Sequence, residues 1–402
     1  MLKKLQPLIF FAIIATLFYS CQYDSQFPTD DSFRGEIVSA ELLHYYTTSE
    51  SSDYILNYNP DLSIYPVIYE IEIYKVIYKT VDTEGDETIA SGVVIIPVNS
   101  TDTFPLCSYQ HGTTLAKDEV PSSETDELVL GVVFSVAGYV MSMPDYLGLG
   151  EGEGLHPYCH AKTEATASVD LLRAAKKICE DRNVLRNDQL FLFGYSQGGH
   201  STMALTRELQ LYHTDEFTIT ASAPMSGPYD MSGAQTDLVL SDEPYGAPFY
   251  LPYLMFAYNE VYKMYDDYSD YLLPPYDEIL PPLFDGTHSG WEVDVVMPGV
   301  PKEIIKPEIL NDFINNPDNP FRIALQENDL IYNWVPSCPM RLYYCEGDEL
   351  VTYLNSINAN EKFATAGATT VSLLSAGASN SHTECAEPCF ISARIWFDSL
   401  KE

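Results

Sequence analysis

The sequence predicts an α/β protein: a mostly parallel β-sheet flanked by helices, with a separate cap segment inserted late in the chain. Three observations carry this expectation. Short apolar runs alternate with stretches of helical spacing along most of the chain, the pattern of strands joined by crossover helices. One such run, Leu190-Phe191-Leu192-Phe193, leads directly into Gly194-Tyr195-Ser196-Gln197-Gly198-Gly199, so that a G-x-S-x-G sequence falls between a strand and a helix. The alternation breaks between Gly227 and Pro336, where Tyr, Pro, Phe and Leu crowd together, as in Pro248-Phe249-Tyr250-Leu251-Pro252-Tyr253.

Taken in order, residues 69–79 alternate β-branched or aromatic residues with others, as a half-exposed strand does, and 89–98 form a second strand. These two predict an antiparallel start to a mixed sheet. The parallel series begins with 105–110, running into His111-Gly112-Thr113-Thr114, and 139–143, running into Pro144-Asp145-Tyr146-Leu147-Gly148. Residues 163–181 have helical spacing through Ala167, Leu171, Leu172, Ala175 and Ile178. Strand 189–193 precedes the serine and helix 198–212 follows it. Strands at 217–223, 340–345 and 369–374 complete the sheet, and a helix over 387–400 closes the chain, with Pro388 suited to its first turn. The domain reading is therefore a core in two parts, 36–227 and 336–402, interrupted by a cap or lid over 228–335.

Composition narrows the function. The 402 residues carry 58 acidic and 21 basic side chains, a net charge of −37. Such a surface repels phosphate backbones, which excludes nucleic acid as a partner, and disfavours polyanionic substrates. At the N-terminus, Lys3 and Lys4 precede an apolar stretch over 8–18 that is too short to span a bilayer comfortably. Ser20-Cys21 then resembles a bacterial lipobox, from which the bulky Phe18 and Tyr19 depart. The expectation is a lipoprotein signal peptide over 1–20, lipidation of Cys21, and a polar tether over 21–35. The mature protein would be anchored to a membrane on the periplasmic or cell-surface side. Export makes disulfides possible. Cys385 and Cys389 could pair, whereas Cys107, Cys179 and Cys345 sit in apolar patterns that read as buried free thiols. No Cys/His spacing resembles a zinc site, and no metal or organic cofactor is implied.

The chemistry rests on Ser196. A tight strand–turn–helix leaves almost no room beside the nucleophile, which accounts for Gly194 and Gly198, and should lift the hydroxyl into solvent. The serine needs a base and the base an orienting carboxylate, in the chain order Ser, acid, His. Of eight histidines, only His213, His288 and His382 lie beyond the first turn of the helix after Ser196. His213 falls at that helix's far end and His288 inside the cap. His382 lies in a small polar loop after the last strand and is the expected general base. Asp348, just past the strand over 340–345, is the expected acid; Glu346 and Glu349 are close competitors and Asp230 is the runner-up. The oxyanion of the reaction needs two donors. The N–H of Gln197 is one, and Thr113, after the first parallel strand, is the other.

The segments Gln110-His111-Gly112-Thr113, Pro144-Asp145-Tyr146-Leu147-Gly148-Leu149-Gly150, His156-Pro157-Tyr158, Gly194 to Gly199 and Asp348-Glu349-Leu350-Val351 occur here in that order. Together they resemble the α/β-hydrolase superfamily and, within it, the secretory lipase group. The likeness spans roughly 90–230 and 336–400. It implies an α/β-hydrolase fold and carboxylic-ester hydrolysis by Ser196, Asp348 and His382, with Thr113 at the oxyanion position and Asp145 structural. The partner is then a small-molecule or lipid ester. Two readings compete with the esterase or lipase: the same triad in a peptidase of prolyl-oligopeptidase type or a polysaccharide deacylase, and a non-catalytic surface lipoprotein that binds a ligand. The complete Ser, Asp, His and Gly set argues against the last.

Overall fold

The computed structural model describes residues 32–60, 62 and 65–402; the expected signal peptide, Cys21 and most of the expected tether lie outside them. The elements begin with β1 (Ile37–Tyr46), α1 (Thr48–Tyr58), β2 (Glu70–Val81), β3 (Glu87–Val98) and β4 (Thr103–Gln110). Next come α2 (Leu128–Ser135), β5 (Val140–Pro144), α3 (Ala161–Arg182), β6 (Leu185–Tyr195), α4 (Gln197–Tyr212) and β7 (Thr218–Met225). Among the described residues the strands form one sheet in the order β1-β2-β3-β5-β4-β6-β7, continued by β8 (Met340–Tyr344) and β9 (Val371–Ser375). The pairings of β1, β2, β3 and β5 are antiparallel, and every pairing from β5 through β4 to β9 is parallel.

The alternation within β6 shows how the sheet is buried on both sides. Phe191 and Phe193 point into a cluster with Leu128, Val132 and Phe134 of α2, whereas Leu190 and Leu192 point the other way, onto Leu171 and Leu172 of α3 and Leu205 of α4. Each fully buried large apolar side chain contributes about 1.5–3 kcal/mol. With both faces covered, β6 is held as a rigid platform directly beneath Ser196.

Four elements of the core were not foreseen: β1, α1, α2 and a helix over Leu354–Thr365. β1 is largely exposed, its residues following no clean alternation, and α1 is weakly amphipathic and started by a Thr47/Glu50 capping box. The end of the expected tether is also not free: Arg34 Nε lies 3.0 Å from Asp170 Oδ2, both side chains buried, and Gly35 N donates to the Lys79 carbonyl.

The C-terminal helix differs from expectation. It covers His382–Asp398 and begins five residues before 387, so Pro388 lies in its interior. The starting signal is Ser381, whose Oγ accepts from Glu384 N while Glu384 Oε2 accepts from Ser381 N at 3.0 Å. This reciprocal cap outweighs the preference of proline for a first turn.

Residues between β7 and β8 add no strand to the sheet. They form helices α5 (Thr236–Val239), α6 (Tyr250–Tyr262), α7 (Tyr276–Ile279), α8 (Gly290–Asp294), α9 (Pro307–Asn315) and α10 (Pro320–Glu327). The remaining helices, α11 (Leu354–Thr365) and α12 (His382–Asp398), belong to the core. The insert has its own apolar centre in Tyr253, Phe256, Tyr271, Leu272 and Leu280, which joins Leu115, Tyr158 and Cys159 of the core. At its neck, Leu330 N donates to the Tyr229 carbonyl at 2.9 Å, and Ser232 donates to Asp329 through its N–H at 2.9 Å and its hydroxyl at 2.6 Å.

Burial pushes the Asp329 carboxyl up to about 6. Its folded value then exceeds the unfolded one of about 3.9, so the stability it contributes is complete below that value and is lost as pH rises through 6. Asp329→Asn keeps a carbonyl for Ser232 N. It should stabilise the chain at pH 8 by up to about 3 kcal/mol and by about half as much at pH 5, as read by urea unfolding at the two values.

Candidate active site

The turn after β6 places the central residue. Ser196 has φ 62° and ψ −124°, a strained conformation for a side-chain-bearing residue. The turn closes tightly against β4: a Cβ on Gly198 would lie 2.0 Å from the Gln110 carbonyl oxygen, and one on Gly194 would lie 2.5 Å from the same oxygen. Only glycine fits at either position. Ser196 N donates to the Met225 carbonyl of β7 at 3.0 Å, and the Ser196 carbonyl accepts from Gly199 N at 2.8 Å as the first bond of α4. The hydroxyl does not reach open solvent as expected. Ser196 is only 6 % exposed, because the insert covers it, and it opens instead onto a cavity between core and insert.

Three expected residues meet here. His382 Nε2 is 2.8 Å from Ser196 Oγ, and His382 Nδ1 is 2.8 and 2.9 Å from the two Asp348 oxygens. The serine comes from the turn after β6, the carboxylate from the loop after β8, and the imidazole from the first residue of α12. Asp348 Oδ1 also accepts from Leu350 N and Val351 N, which fixes the direction of the carboxylate. Tyr195 OH donates to the His382 carbonyl at 2.5 Å, and Glu349 Oε2 accepts from His382 N at 3.0 Å.

The competitors lie elsewhere. Glu346 accepts from Ser375 Oγ, and Asp230 accepts from Ala234 N and Asn358 Nδ2. His213 sits beside Arg173 and Glu208, and His288 beside Asp285 on the exposed insert.

His156 and Tyr158, two residues apart, tie the serine turn to the loop after β4. Thr113 Oγ1 is 3.0 Å from Tyr158 OH. Gln197, next to the serine, donates through Nε2 to His156 Nε2 at 2.7 Å and to Glu164 Oε1 at 2.8 Å. A Cβ on Gly112 would meet nothing nearer than the Tyr195 carbonyl oxygen at 3.7 Å, so crowding does not select glycine there. Asp145 is structural: it accepts from Ser91 Oγ and Ser122 N, and burial raises its carboxyl.

The cysteine expectation is corrected. Cys345 bonds to Cys385, while Cys389 is a free thiol 3.7 Å from Cys385. Cys385 and Cys389 share one helix face a turn apart, but Cys345, just past the end of β8, meets Cys385 where the C-terminal helix passes the sheet, a proximity that spacing along the chain does not reveal. Cys345 precedes Asp348 by three residues and Cys385 follows His382 by three, so the bond fastens the carboxylate loop to the histidine helix.

One cluster among the described residues has the types and spacing for a metal: Cys159, Glu164 and His200, with ligand atoms within 4.8 Å of one another. The segment at the start of α3 supplies Cys159 and Glu164 and α4 supplies His200, so no local Cys/His spacing marks it. The two Glu164 oxygens and both His200 nitrogens already have protein partners, and burial beside Glu164 raises the Cys159 thiol well above its ordinary range. This donor set is better suited to hydrogen bonding within the protein than to a cation.

A serine in a strand–turn–helix, with an acid and a histidine delivered by later loops on a mostly parallel sheet, defines an α/β-hydrolase. A secretory lipase family model matches residues 122–223. Among solved structures, a putative hydrolase from Legionella pneumophila is 30% identical, with 90% of this chain and 98% of that one covered and a TM-score of 0.83. A ligand-bound form of the rice cell wall degrading esterase LipA from Xanthomonas oryzae is 30% identical, with 91% and 99% covered and a TM-score of 0.82. Candida antarctica lipase A, at 16% identity, 87% and 78% coverage and a TM-score of 0.64, shares the fold. No curated protein sequence matches. The chain belongs to the secretory lipase family of α/β-hydrolases, and it is an ester hydrolase.

A disulfide that closes a loop of this span, with its cysteines 40 residues apart, is worth about 4 kcal/mol in the chain-entropy account. The paired replacement Cys345→Ser with Cys385→Ser should lower unfolding free energy by that order and lower kcat more than it raises KM. Unchanged kcat would mean that the two loops hold their positions without the bond.

Proposed function

We propose that the chain hydrolyses carboxylic esters of aliphatic acids through an acyl-enzyme on Ser196. The observation that carries this reading is the Ser196–His382–Asp348 chain of hydrogen bonds at the wall of an apolar cavity. His382 Nε2 takes the hydroxyl proton as Ser196 Oγ attacks the ester carbonyl, and Asp348 holds Nδ1–H and stabilises the imidazolium that forms. The carbonyl oxygen, now negative, is met by the N–H of Gln197 and by Thr113. Collapse expels the alcohol, which takes its proton from His382. A water then repeats the sequence on the acyl-enzyme and releases the acid.

The cavity favours acyl chains over sugars and peptides. Its walls include Leu254, Ile309, Leu310, Phe313 and Leu325. Three of the polar side chains along it are bonded within the protein. Gln235 Nε2 and Tyr245 OH donate to the Leu350 carbonyl, and Asn319 Nδ2 donates to Asp312. A sugar or peptide entering would lose hydrogen bonds to water and find few here. The residues over 228–335 act in this reading as a cap that sets substrate range. No described helix is long and apolar enough to cross a membrane; attachment is assigned to a lipid on Cys21, which would hold the exported enzyme at a membrane surface.

The full chain in detergent, treated with a fluorophosphonate probe, should be labelled, and Ser196→Ala should abolish labelling. Label that survives this change would sink the assignment. On p-nitrophenyl esters, Asp348→Asn should lower kcat by on the order of 10⁴, with Asp230→Asn near wild type. Turnover confined to prolyl amides or acetylated polysaccharide would replace the acyl-ester reading.

A further inference from the structure

Behind Ser196 lies a buried polar chain that takes no part in the proton transfers described above. Its centre is Glu164 on α3, which is fully buried. Glu164 Oε1 accepts from Gln197 Nε2 at 2.8 Å, and Glu164 Oε2 is 2.7 Å from His200 Nδ1. The other hydrogen on Gln197 Nε2 is directed to His156 Nε2 at 2.7 Å. His156 is free to accept it: Nδ1 donates to the Leu147 carbonyl at 2.8 Å, and burial lowers the ring to about 3, so it is neutral. Both amide hydrogens of Gln197 are thereby committed. Because Gln197 follows the serine directly, pinning its side chain also restrains the peptide whose N–H faces the reacting carbonyl.

The same chain reaches the insert. His200 Nε2 lies 3.3 Å from the Asn328 carbonyl. Asn328 Oδ1 accepts from Ala161 N at the start of α3, and Asn328 Nδ2 donates to Tyr262 OH of α6 and to the Ala324 carbonyl of α10. Glu164 therefore sits between the serine turn and the seat of the insert.

Stability alone does not account for a carboxylate here. A buried acid costs several kcal/mol in desolvation, and well-packed apolar side chains in such places are often as stable or more so. What the carboxylate supplies that an apolar residue does not is direction. We propose that Glu164 is a positioning residue for ester hydrolysis. With His156 it clamps the Gln197 side chain and so sets the Gln197 N–H for the oxyanion, and through His200 and Asn328 it ties that setting to the insert. The proposal rests on the reading of the Gln197 N–H as an oxyanion donor.

The test is a double-mutant cycle on the full chain in detergent, using p-nitrophenyl butyrate, with Glu164→Leu, which removes the acceptor for Gln197 Nε2, Gln197→Ala and both together. Each single change should lower kcat on the order of 10- to 100-fold and leave KM within about twofold. Each should weaken inhibition by a trifluoromethyl ketone, whose tetrahedral adduct needs the same donors, in proportion to the loss in kcat. The double variant should be no worse than the worse single, because both changes cut one linkage. Additive losses, a wild-type kcat in either single variant, or a rise in KM at constant kcat would overturn the proposal. If Glu164→Leu shows no cooperative melt, Gln197→Ala decides on the same two readouts, since it leaves the Glu164–His200 pair in place. Variants that behave as wild type in an enzyme labelled at Ser196 overturn this proposal alone. A wild type that the probe does not label at Ser196 removes the reading beneath it as well.

Discussion

The main-chain carbonyl of Gln110, at the end of β4, is the constraint around which the site is arranged. Positions 194 and 198 both press against it so closely that neither can carry a side chain. That contact lets β6 and α4 converge on a single residue, and Ser196 adopts a backbone conformation costing on the order of 1–3 kcal/mol. The strain is tolerated because the surroundings over-determine it. Met225 of β7 holds the serine N–H, Gly199 of α4 binds its carbonyl, and β6 is packed on both faces by aromatic and branched side chains. The start of α4 is then aimed at the serine, so the positive end of the helix dipole lies where negative charge would develop.

A fixed turn does not by itself fix its partners. Asp348 and His382 come from loops after β8 and β9, far along the chain, and loops are the segments free to drift. Each is restrained by several bonds that do not involve the serine. The carboxylate is held by Leu350 N and Val351 N, the histidine backbone by Tyr195 OH and Glu349, and the two loops are joined by Cys345–Cys385. Tyr195 couples the two systems: it belongs to the turn, and its hydroxyl reaches the histidine. Displacing either loop therefore disturbs contacts beyond the Ser196–His382 bond.

The alternation of apolar runs with helical spacing made the central sheet legible, because strands buried on both faces read as continuous apolar segments. It was silent on β1, whose exposed residues follow no such rule, and it misplaced the start of α12 by weighting Pro388 over the Ser381/Glu384 cap. At the site, Ser196, Asp348 and His382 were legible because a known chain order and strand-end positions single them out. Glu164, His156 and His200 were not. Each lies on a segment with ordinary local reasons to exist, and their association depends on the packing of α3 against α4. The Cys345–Cys385 bond was missed for a related reason: the pairing is between sheet and helix, and sequence separation favoured the neighbour a turn away. The motif His156-Pro157-Tyr158 was visible as a resemblance without a role. In the structure its two ring-bearing residues brace Gln197 and Thr113, one on each side of the serine.

The division between core and insert has a consequence for selectivity. The core contributes few moving parts: a strained turn, a clamped amide and two restrained loops. The insert contributes a wall of aliphatic and aromatic side chains, three of whose polar neighbours are already bonded. An apolar surface of this kind discriminates by area buried, at about 0.8 kcal/mol per methylene, or roughly a factor of four in binding per carbon. In the proposed reading, then, selectivity rises in steps with acyl length and levels off where the cavity ends, and it has no directional contact with which to recognise one particular acid. In the same reading, geometric demand is concentrated at the carbonyl, where the Gln197 N–H and Thr113 would converge on the oxyanion.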